Sequence, residues 1–388
     1  MKVVIAPDSF KESLTAKQVS DAIKRGLQRV WKDAEFVTVP VADGGEGTVQ
    51  ALVDATQGEL VMVSVKGPLG DEVNAHYGVL GDGETAVIEM AEASGLHLVP
   101  QDLRDPKRTS SFGTGQLILD ALDKGIQRFI IGIGGSATND GGIGMLAALG
   151  VRFLNQSGEE ITPDGAGLVE LASIEHSSLD ARLAECEILV ACDVDNPLCG
   201  KEGASNVFGP QKGATQEDID LLDSALRKFG DLTEQVMGRH VLTEKGAGAA
   251  GGMGAALIGY LSSSLKPGIE IVLETVKLSE HVSDADIVFT GEGRIDQQTV
   301  HGKTPMGVAQ VAKQFDLPVI ALAGCTGRNY QAVYECGIDA VFVCVSRAMS
   351  LSEALDEAEI NLENLAENVA RLSSLSMLSL PNVTLKKE

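Results

Sequence analysis

The chain of 388 residues is predicted to be an α/β protein, with a doubly wound parallel-sheet domain interrupted by a second, inserted α/β domain. Short apolar runs alternate with helical patterns at both ends of the chain, which is typical of a parallel sheet covered on both faces. The middle of the chain breaks this alternation. We therefore assign residues 1–66 and 284–388 to one domain and residues 67–283 to the other, and we expect ligands in a cleft between them.

The N-terminal segment predicts two strands, each followed by a helix. The apolar run Val3–Pro7 indicates a buried strand, and Thr15 with Gln18 predicts a capping box at the start of the first helix. Phe36–Val41 indicates the second strand, and a helix through Val49–Val53 follows it. This alternation is the first half of the evidence for a parallel sheet.

The C-terminal hundred residues repeat the same alternation. Apolar runs predict strands at 287–290, 319–323 and 341–345. Helices are expected over 306–315, near 331–335, and in a final segment from Leu351 to Leu362. Beyond it, only residues 386–388 are expected to be a loose tail.

The middle of the chain contains a predicted hairpin and a glycine-rich loop. The hairpin covers residues 74–88, with its turn at 81–83. The apolar run Phe129–Ile133 indicates a buried strand, and glycines mixed with polar residues lead from it into a helical pattern after Gly142. Such a strand, turn and helix start direct N–H groups at one point, which suits a phosphate or a carboxylate. The alternative is an ordinary turn capped by Asn or Asp.

Composition excludes several functional classes. The formal charge of −24 and the absence of a basic tract argue against binding to nucleic acid or to an anionic membrane surface. No apolar run approaches the ~20 residues that a membrane helix needs. The six cysteines form no C-x-x-C pair, so we expect reduced thiols in a cytoplasmic protein.

Two familiar nucleotide motifs are absent or weak. The segment Gly302-Lys-Thr304 is not a P-loop, because position 297 holds Gln where that motif needs Gly. His301 beside it is expected to be a polar loop residue. The spacing of Gly132, Gly134 and Ala137 fits a loose dinucleotide fingerprint, but the next predicted strand ends near Asn155 without the expected acid.

Five loops combine a carboxylate with small or polar residues where predicted strands end. Ligands of open parallel sheets bind outside the carboxyl ends of the strands, so these loops are predicted to form the site. One Asp–Gly pair after a strand is more often a turn, but five such loops favour phosphate binding, Mg²⁺ coordination and a carboxylate base. The loops are 8–11, 43–46, 134–140, 193–196 and 292–296.

Nine segments, in order and over nearly the whole chain, resemble the bacterial glycerate kinase family (type 1), in the branch that forms 2-phosphoglycerate. They are Val4-Ile-Ala-Pro-Asp-Ser-Phe-Lys-Glu-Ser13, Val41-Ala-Asp-Gly-Gly-Glu-Gly-Thr48, Ser111-Phe-Gly-Thr-Gly115, Ile133-Gly-Gly-Ser-Ala-Thr-Asn-Asp-Gly-Gly142, Ala191-Cys-Asp-Val-Asp-Asn-Pro197, Phe208-Gly-Pro-Gln-Lys-Gly213, Gly246-Ala-Gly-Ala-Ala-Gly-Gly-Met-Gly254, Thr290-Gly-Glu-Gly-Arg-Ile-Asp296 and Gly302-Lys-Thr-Pro305. The resemblance implies a flavodoxin-like domain interrupted by a second α/β domain. It also implies ATP- and Mg²⁺-dependent phosphorylation of D-glycerate.

Our hypothesis for the mechanism is in-line transfer of the ATP γ-phosphoryl group to a glycerate hydroxyl. Five loop residues are predicted to hold phosphates: Gly134, Gly135, Ser136, Thr138 and Asn139. Asp43 and Asp140 are predicted to coordinate Mg²⁺, and Lys11 and Lys303 to neutralise transferring charge. Asp193 or Asp296 would deprotonate the hydroxyl. Asp8, Ser9, Arg294 and Lys303 would bind the substrate, with the guanidinium of Arg294 on its carboxylate.

Some alternatives remain open at this point. The product could be 3-phosphoglycerate instead of 2-phosphoglycerate. An NAD(P)-dependent hydroxy-acid oxidoreductase and a non-catalytic two-domain binding protein are the competing classes. The sequence is compatible with a monomer or a homodimer, and it does not decide which loop binds ATP and which binds glycerate.

Overall fold

A computed structural model of the chain describes residues 1–300 and 302–376, so His301 and the predicted tail at 386–388 lie outside the described residues. The strands, numbered in chain order, are β1 (Lys2–Ile5), β2 (Glu35–Thr38), β3 (Glu59–Lys66), β4 (Glu72–Val79), β5 (Thr85–Glu89), β6 (Arg128–Gly132), β7 (Arg152–Leu154), β8 (Ser173–Glu175), β9 (Glu187–Ala191), β10 (Ser264–Lys266), β11 (Ile287–Thr290), β12 (Arg294–Ile295), β13 (Val319–Ala323), β14 (Cys325–Thr326) and β15 (Ala340–Val343).

The α-helices are α1 (Ala16–Gln28), α2 (Thr48–Thr56), α3 (Ala91–Ser94), α4 (Phe112–Asp123), α5 (Ile143–Ala148), α6 (Gly165–Glu170), α7 (Ala204–Phe208), α8 (Gln216–Met237), α9 (Ala249–Leu261), α10 (Gly268–Thr275), α11 (Leu278–Val282), α12 (Thr304–Lys313), α13 (Leu351–Asp356) and α14 (Ala358–Ser376). Short 3₁₀ helices cover Leu96–Leu98, Gln101–Leu103, Ala181–Glu185, Pro210–Lys212, Gln297–Val300 and Tyr330–Cys336. Within the described residues, no helix is both long and apolar enough to span a membrane.

The chain forms two compact units. Unit 1 contains Met1–Asp43 and the described residues from Val272 onward, and unit 2 contains Gly44–Ile271. The predicted boundaries assign residues 44–66 to the first domain, but they lie in unit 2. They assign residues 272–283 to the inserted domain, but these lie in unit 1. The reason for the first difference is that β3 pairs with β4 along its whole length, which places it in the sheet of unit 2.

The sheet of unit 1 is entirely parallel, with the strand order β2-β1-β11-β13-β15. Counted by appearance within the unit, this is the order 2-1-3-4-5 of flavodoxin-like folds. The predicted fold class is thereby confirmed. In such a sheet the strand order reverses beside the first strand, here between β1 and β11, and ligands bind outside the carboxyl ends at that point.

Helix α1 packs against α14 on one face of this sheet. Its N-terminus carries the predicted capping box, in which Thr15 accepts from the Gln18 N–H and the Gln18 side chain accepts from the Thr15 N–H. Gly26 allows the close approach of α14, since a Cβ at this position would lie 2.2 Å from the carbonyl oxygen of Glu363. Arg25 reinforces the contact with ion pairs to Glu359 and Glu363 at 2.6 and 2.9 Å.

Unit 2 is built around a mixed sheet with the order β3-β4-β5-β6-β9-β10. The predicted hairpin is present as β4 and β5, which pair antiparallel, whereas β5, β6, β9 and β10 are parallel neighbours. Strand β6 is buried apart from its first residue, and the glycine-rich loop follows its carboxyl end. The second α/β domain that the sequence predicts is therefore a mixed sheet with helices.

The glycines between Gly246 and Gly254 serve close packing of the chain. Gly251 has φ +68°, and a Cβ there would lie 2.0 Å from the carbonyl oxygen of Thr138. A Cβ at Gly254 would lie 2.1 Å from the carbonyl oxygen of Gly246. Gly141 donates its N–H to the carbonyl of Gly251 at 2.9 Å. This segment therefore supports the glycine-rich loop from behind.

We expect Gly26→Ala to destabilise the protein by about 1–3 kcal/mol, because the new methyl group must push α1 and α14 apart. Helix propensity alone would predict a gain from the same substitution. Urea denaturation measures the difference, with the exposed residue Gln28 as the control site. Gln28→Ala should stay within about 0.5 kcal/mol of wild type. A Gly26→Ala protein as stable as wild type would contradict the close helix contact.

Candidate active site

A cavity of about 380 Å³ opens at the carboxyl ends of β1 and β11 in unit 1, at the predicted ligand position of a flavodoxin-like sheet. Its lining contains both charged and apolar side chains. The charged residues are Asp8, Lys11, Glu12, Asp43, Glu292, Arg294 and Lys303. The apolar residues are Phe10, Val345, Leu351, Ala354, Leu355 and Ala358. The cavity thus brings together most of the predicted site residues of this unit, including Ser9.

Asp8 is the most buried carboxylate of this cavity, with 6% of its surface exposed. Its oxygens accept hydrogen bonds from the Thr304 hydroxyl at 2.7 Å and from the Ser9 N–H at 2.7 Å. Burial raises the pKa of Asp8 to about 6, and the negative charge of Asp43 adds to this shift. The donors from Thr304 and Ser9 oppose it. Asp8 is therefore held in place as a carboxyl group that changes charge near neutral pH.

Glu292 and Lys303 form the second charged pair of the cavity. Lys303 lies 3.5 Å from Glu292, and the Thr299 hydroxyl donates to the other carboxylate oxygen at 2.6 Å. Burial raises the pKa of Glu292, while Thr299 and Lys303 lower it. Lys303 immediately precedes α12, so its ammonium and the N-terminus of a ten-residue helix are adjacent. Both features favour an anion here.

Arg294 and Asp296 pair with each other beside the cavity. The guanidinium Nε of Arg294 lies 3.2 Å from a carboxylate oxygen of Asp296, and the Gln298 N–H donates to the other oxygen at 2.9 Å. Arg294 lines the cavity, whereas Asp296 does not. These contacts support Asp296 as a residue that orients Arg294 and do not support it as the base.

In unit 2, a smaller cavity of about 220 Å³ borders the glycine-rich loop after β6. Its lining includes Gly134, Gly135, Ser136, Asp193 and Lys212. Asp193 is exposed and accepts the Gly268 N–H at 3.0 Å. Four predicted site residues of this unit therefore meet at one cavity, together with a lysine that the prediction did not include.

Three other predicted residues of the loop point into the protein. Thr138, Asn139 and Asp140 are fully buried, and the Asn139 amide donates to the Ser205 hydroxyl at 2.9 Å. The carboxylate of Asp140 accepts from the N–H and hydroxyl of Ser111, and from the N–H groups of Gly142 and Gly144 at the start of α5. Burial raises the pKa of Asp140, and these donors oppose the shift. The contacts do not support metal coordination by Asp140; they make it the anchor of the loop.

Lys212 is the main residue that the sequence analysis missed in unit 2. It is 2% exposed, and its ammonium donates to the Ser136 hydroxyl and to the Thr138 carbonyl, both at 2.6 Å. In unit 1 the sequence analysis missed Thr304, and it included Glu292 only as part of the 292–296 loop, without a role of its own. All three lie in segments that carry the family resemblance, which is the signal that could have identified them.

A third cavity, of about 440 Å³, shares Gly134 and Gly135 with the smaller one but is lined by Glu46, Glu89 and Glu92. Glu89 accepts the Val49 N–H at the start of α2, and burial raises the pKa of Glu89 to about 7. Three glutamates make this cavity unsuitable for a phosphate group. Throughout residues 1–300 and 302–376, no group of three or more His, Cys, Asp or Glu side chains is arranged to hold a metal ion.

Asp8→Asn should gain stability relative to wild type as the pH rises from 4 to 7. The pKa of Asp8 is about 6 in the folded protein and 3.8 ordinarily, so the folded state binds the proton more tightly. The stability that this bound proton contributes is lost as the pH rises through the folded-state pKa near 6. The side chain of Asn stays neutral, so the difference in unfolding free energy should grow by up to about 3 kcal/mol. Thermal unfolding in EDTA measures it, and a difference independent of pH would contradict the assignment.

Comparison with known proteins identifies the family. The profile of the glycerate kinase family matches residues 3–374. The chain is 56% identical to the glycerate kinase of Halalkalibacterium halodurans, over 96% of this chain and 98% of that protein. It is 52% identical to the glycerate 2-kinase of Escherichia coli, over 97% of this chain and 99% of that protein.

A solved structure agrees with this result. The crystal structure of a protein assigned as glycerate kinase 2 from Salmonella typhimurium LT2 matches with a TM-score of 0.91 and 52% sequence identity, and the match covers 98% of this chain and 100% of that one. Profile, sequences and structure agree over nearly the full length. The chain belongs to the glycerate kinase family.

Proposed function

We propose that this protein transfers the γ-phosphoryl group of ATP to D-glycerate and forms 2-phospho-D-glycerate and ADP. The observation that carries this proposal is the full-length similarity to glycerate kinases, among them the glycerate 2-kinase of Escherichia coli. Kinase activity follows from family membership. The position of the new phosphoryl group is the finer part of the proposal, with 3-phosphoglycerate as the alternative product.

We place the phosphate groups of the nucleotide in the cavity of unit 1. Lys11, Arg294 and Lys303 supply positive charge there, and the N-terminus of α12 adds to it. Phosphoryl transfer depends mainly on positioning and on neutralising the charge of the transferring group. The apolar residues of the same cavity, such as Leu351 and Leu355, would cover the uncharged part of the nucleotide. This differs from the predicted phosphate role of the glycine-rich loop.

Mg²⁺ fits the carboxylates that line this cavity. Asp8 and Asp43 offer oxygen ligands, and the repulsion between their charges, which contributes to the raised pKa of Asp8, is what a cation relieves. Protein sites for Mg²⁺ often use only one or two carboxylates together with substrate phosphates, so a preformed group of three ligands is unnecessary. Bound there, Mg²⁺ would neutralise charge on the β- and γ-phosphates.

Asp193 remains the proposed base for the glycerate hydroxyl. It is exposed at the unit 2 cavity, and the Gly268 N–H fixes one of its oxygens. General-base catalysis requires such a carboxylate within hydrogen-bond reach of the proton that it accepts. Asp296 is assigned to orienting Arg294, because an ion pair and a backbone donor already occupy its carboxylate.

Incubation with ATP, Mg²⁺ and D-glycerate, followed by enolase without a mutase, tests the proposed product. We expect immediate formation of enolpyruvate phosphate, because enolase accepts 2-phosphoglycerate directly. ADP release without this signal would indicate the 3-isomer and contradict the regiochemistry. No glycerate-dependent ADP release would contradict the proposed function as a whole.

Lys11→Ala should lower kcat/KM by about 10²-fold or more, because the cavity loses a cation that stabilises charge in the transition state. The matched control is Lys17→Ala, which removes an exposed lysine on α1 whose ammonium lies 4.0 Å from Asp21. The coupled assay should give wild-type rates for that control. Equal kinetics of Lys11→Ala and wild type would remove Lys11 from the site.

A further inference from the structure

The side chain of Lys212 is buried, and the structure gives its terminal amine two neutral hydrogen-bond partners. Its two hydrogen-bond acceptors are the Ser136 hydroxyl and the Thr138 carbonyl, which are both neutral. Among the residues that the structure describes, Lys212 forms no ion pair. Asp140 acts on it only as a more distant charge. Buried charges in proteins are normally paired or bind a ligand, because desolvation without compensation is costly.

The surroundings of Lys212 can bind an anion. The side chain lines the cavity of about 220 Å³, next to Ser136 and the exposed residues Gly134 and Gly135. The N–H groups of Gly134, Gly135 and Ser136 donate to no backbone carbonyl in the described ranges. A lysine ammonium, a hydroxyl and backbone N–H groups of a glycine-rich turn are the donors that oxyanion sites use.

We propose that the unit 2 cavity binds the carboxylate of the acceptor acid, with Lys212 as its counter-charge. The inference rests on the proposed glycerate kinase activity and assigns a ligand-binding role to a residue that the sequence analysis did not single out. It also changes the role of the glycine-rich loop, which then holds the acid and not the nucleotide. Asp193 lines the same cavity, as the proposed base for a hydroxyl of that acid requires.

Size and charge favour a small carboxylic acid over a nucleotide here. Sites for drug-sized ligands usually have volumes of about 300–1,000 Å³. The unit 2 cavity, at about 220 Å³, is smaller, whereas the unit 1 cavity has about 380 Å³. One lysine matches a monoanion, whereas the three cations of the unit 1 cavity, together with Mg²⁺ bound to its carboxylates, match polyphosphate. A three-carbon hydroxy acid therefore fits the smaller cavity.

The titration of Lys212 gives the proposal a distinctive readout. Burial lowers the pKa of Lys212 to about 7, and the charge of Asp140 opposes the shift. The other titratable groups at this cavity are the Asp193 carboxylate and the Cys192 thiol, and burial raises the pKa of Cys192. A bound carboxylate favours the charged ammonium, so binding at pH 7.5 should draw roughly 0.7 proton from solution.

The experiment is titration calorimetry of the full-length protein with D-glycerate at pH 7.5, in two buffers with different ionisation enthalpies. We expect proton uptake on binding to wild type. Lys212→Met should bind glycerate at least tenfold more weakly, lose the uptake, and raise the KM for glycerate with an unchanged KM for ATP. The control Lys245→Met, which removes an exposed lysine paired with Asp195, should match wild type in all these measurements.

Several results would overturn the proposal. A Lys212→Met protein that is less stable but binds glycerate with the same affinity and proton uptake would show that Lys212 has only a structural role. Lys212-dependent proton uptake with ATP or inorganic phosphate, and none with glycerate, would make this a phosphate site.

Wild-type protein alone decides the question if Lys212→Met does not fold. The methyl ester of D-glycerate lacks the carboxylate, so it should bind without proton uptake if the proposal is correct. Equal uptake with ester and acid would refute it. Active wild-type enzyme that takes up no proton with glycerate would refute this inference alone, whereas the absence of glycerate-dependent ATP consumption would refute the proposed function.

Discussion

The hydrogen bond from Thr304 to the buried carboxylate of Asp8 is the contact on which the unit 1 site depends. It joins the loop after β1 to the first turn of α12, which are far apart in the chain but adjacent where the strand order reverses. Without a donor, a carboxylate at this depth would not keep its charge near neutral pH. The bond therefore keeps an acidic group inside a cavity that also needs cations, and it fixes the position of Lys303 at the helix start.

In unit 2, a buried carboxylate with hydrogen-bond donors likewise stabilises the site, here at the glycine-rich loop. Asp140 collects four hydrogen bonds below the loop, and Gly251 passes close enough behind Thr138 to exclude any side chain. Polar loop residues that the sequence predicts to bind a ligand therefore hold the loop in its conformation. What remains toward the cavity is small and polar, namely two glycines and Ser136, with Lys212 beneath them. A rigid, buried support of this kind preorganises a binding site.

The two cavities differ in ways that matter for chemistry. The cavity of unit 1 is larger, partly apolar and rich in charges of both signs, as expected where a metal and a polyphosphate bind together. The cavity of about 220 Å³ in unit 2 is smaller and is lined by a single buried lysine, Lys212. Our proposal for the two cavities rests on this contrast and is the reverse of the assignment predicted from the sequence, where a glycine-rich turn after a strand indicates phosphate. Backbone N–H groups can donate hydrogen bonds to either oxyanion, so the turn by itself does not distinguish phosphate from carboxylate.

The sequence by itself determined the family, the α/β class and many local features, such as the Thr15 capping box, the strand Val319–Ala323 and the hairpin β4–β5, because periodicity, capping and turn chemistry are local. Only the tertiary structure decided which side chains face a cavity. In the structure Asp140 and Asn139 are buried, Asp296 pairs with Arg294, and Lys212 is a buried lysine. Burial and partners depend on segments distant in the chain, such as Ser111 for Asp140 and Ser136 for Lys212. The spacing of residues in the sequence does not show which distant segments come into contact.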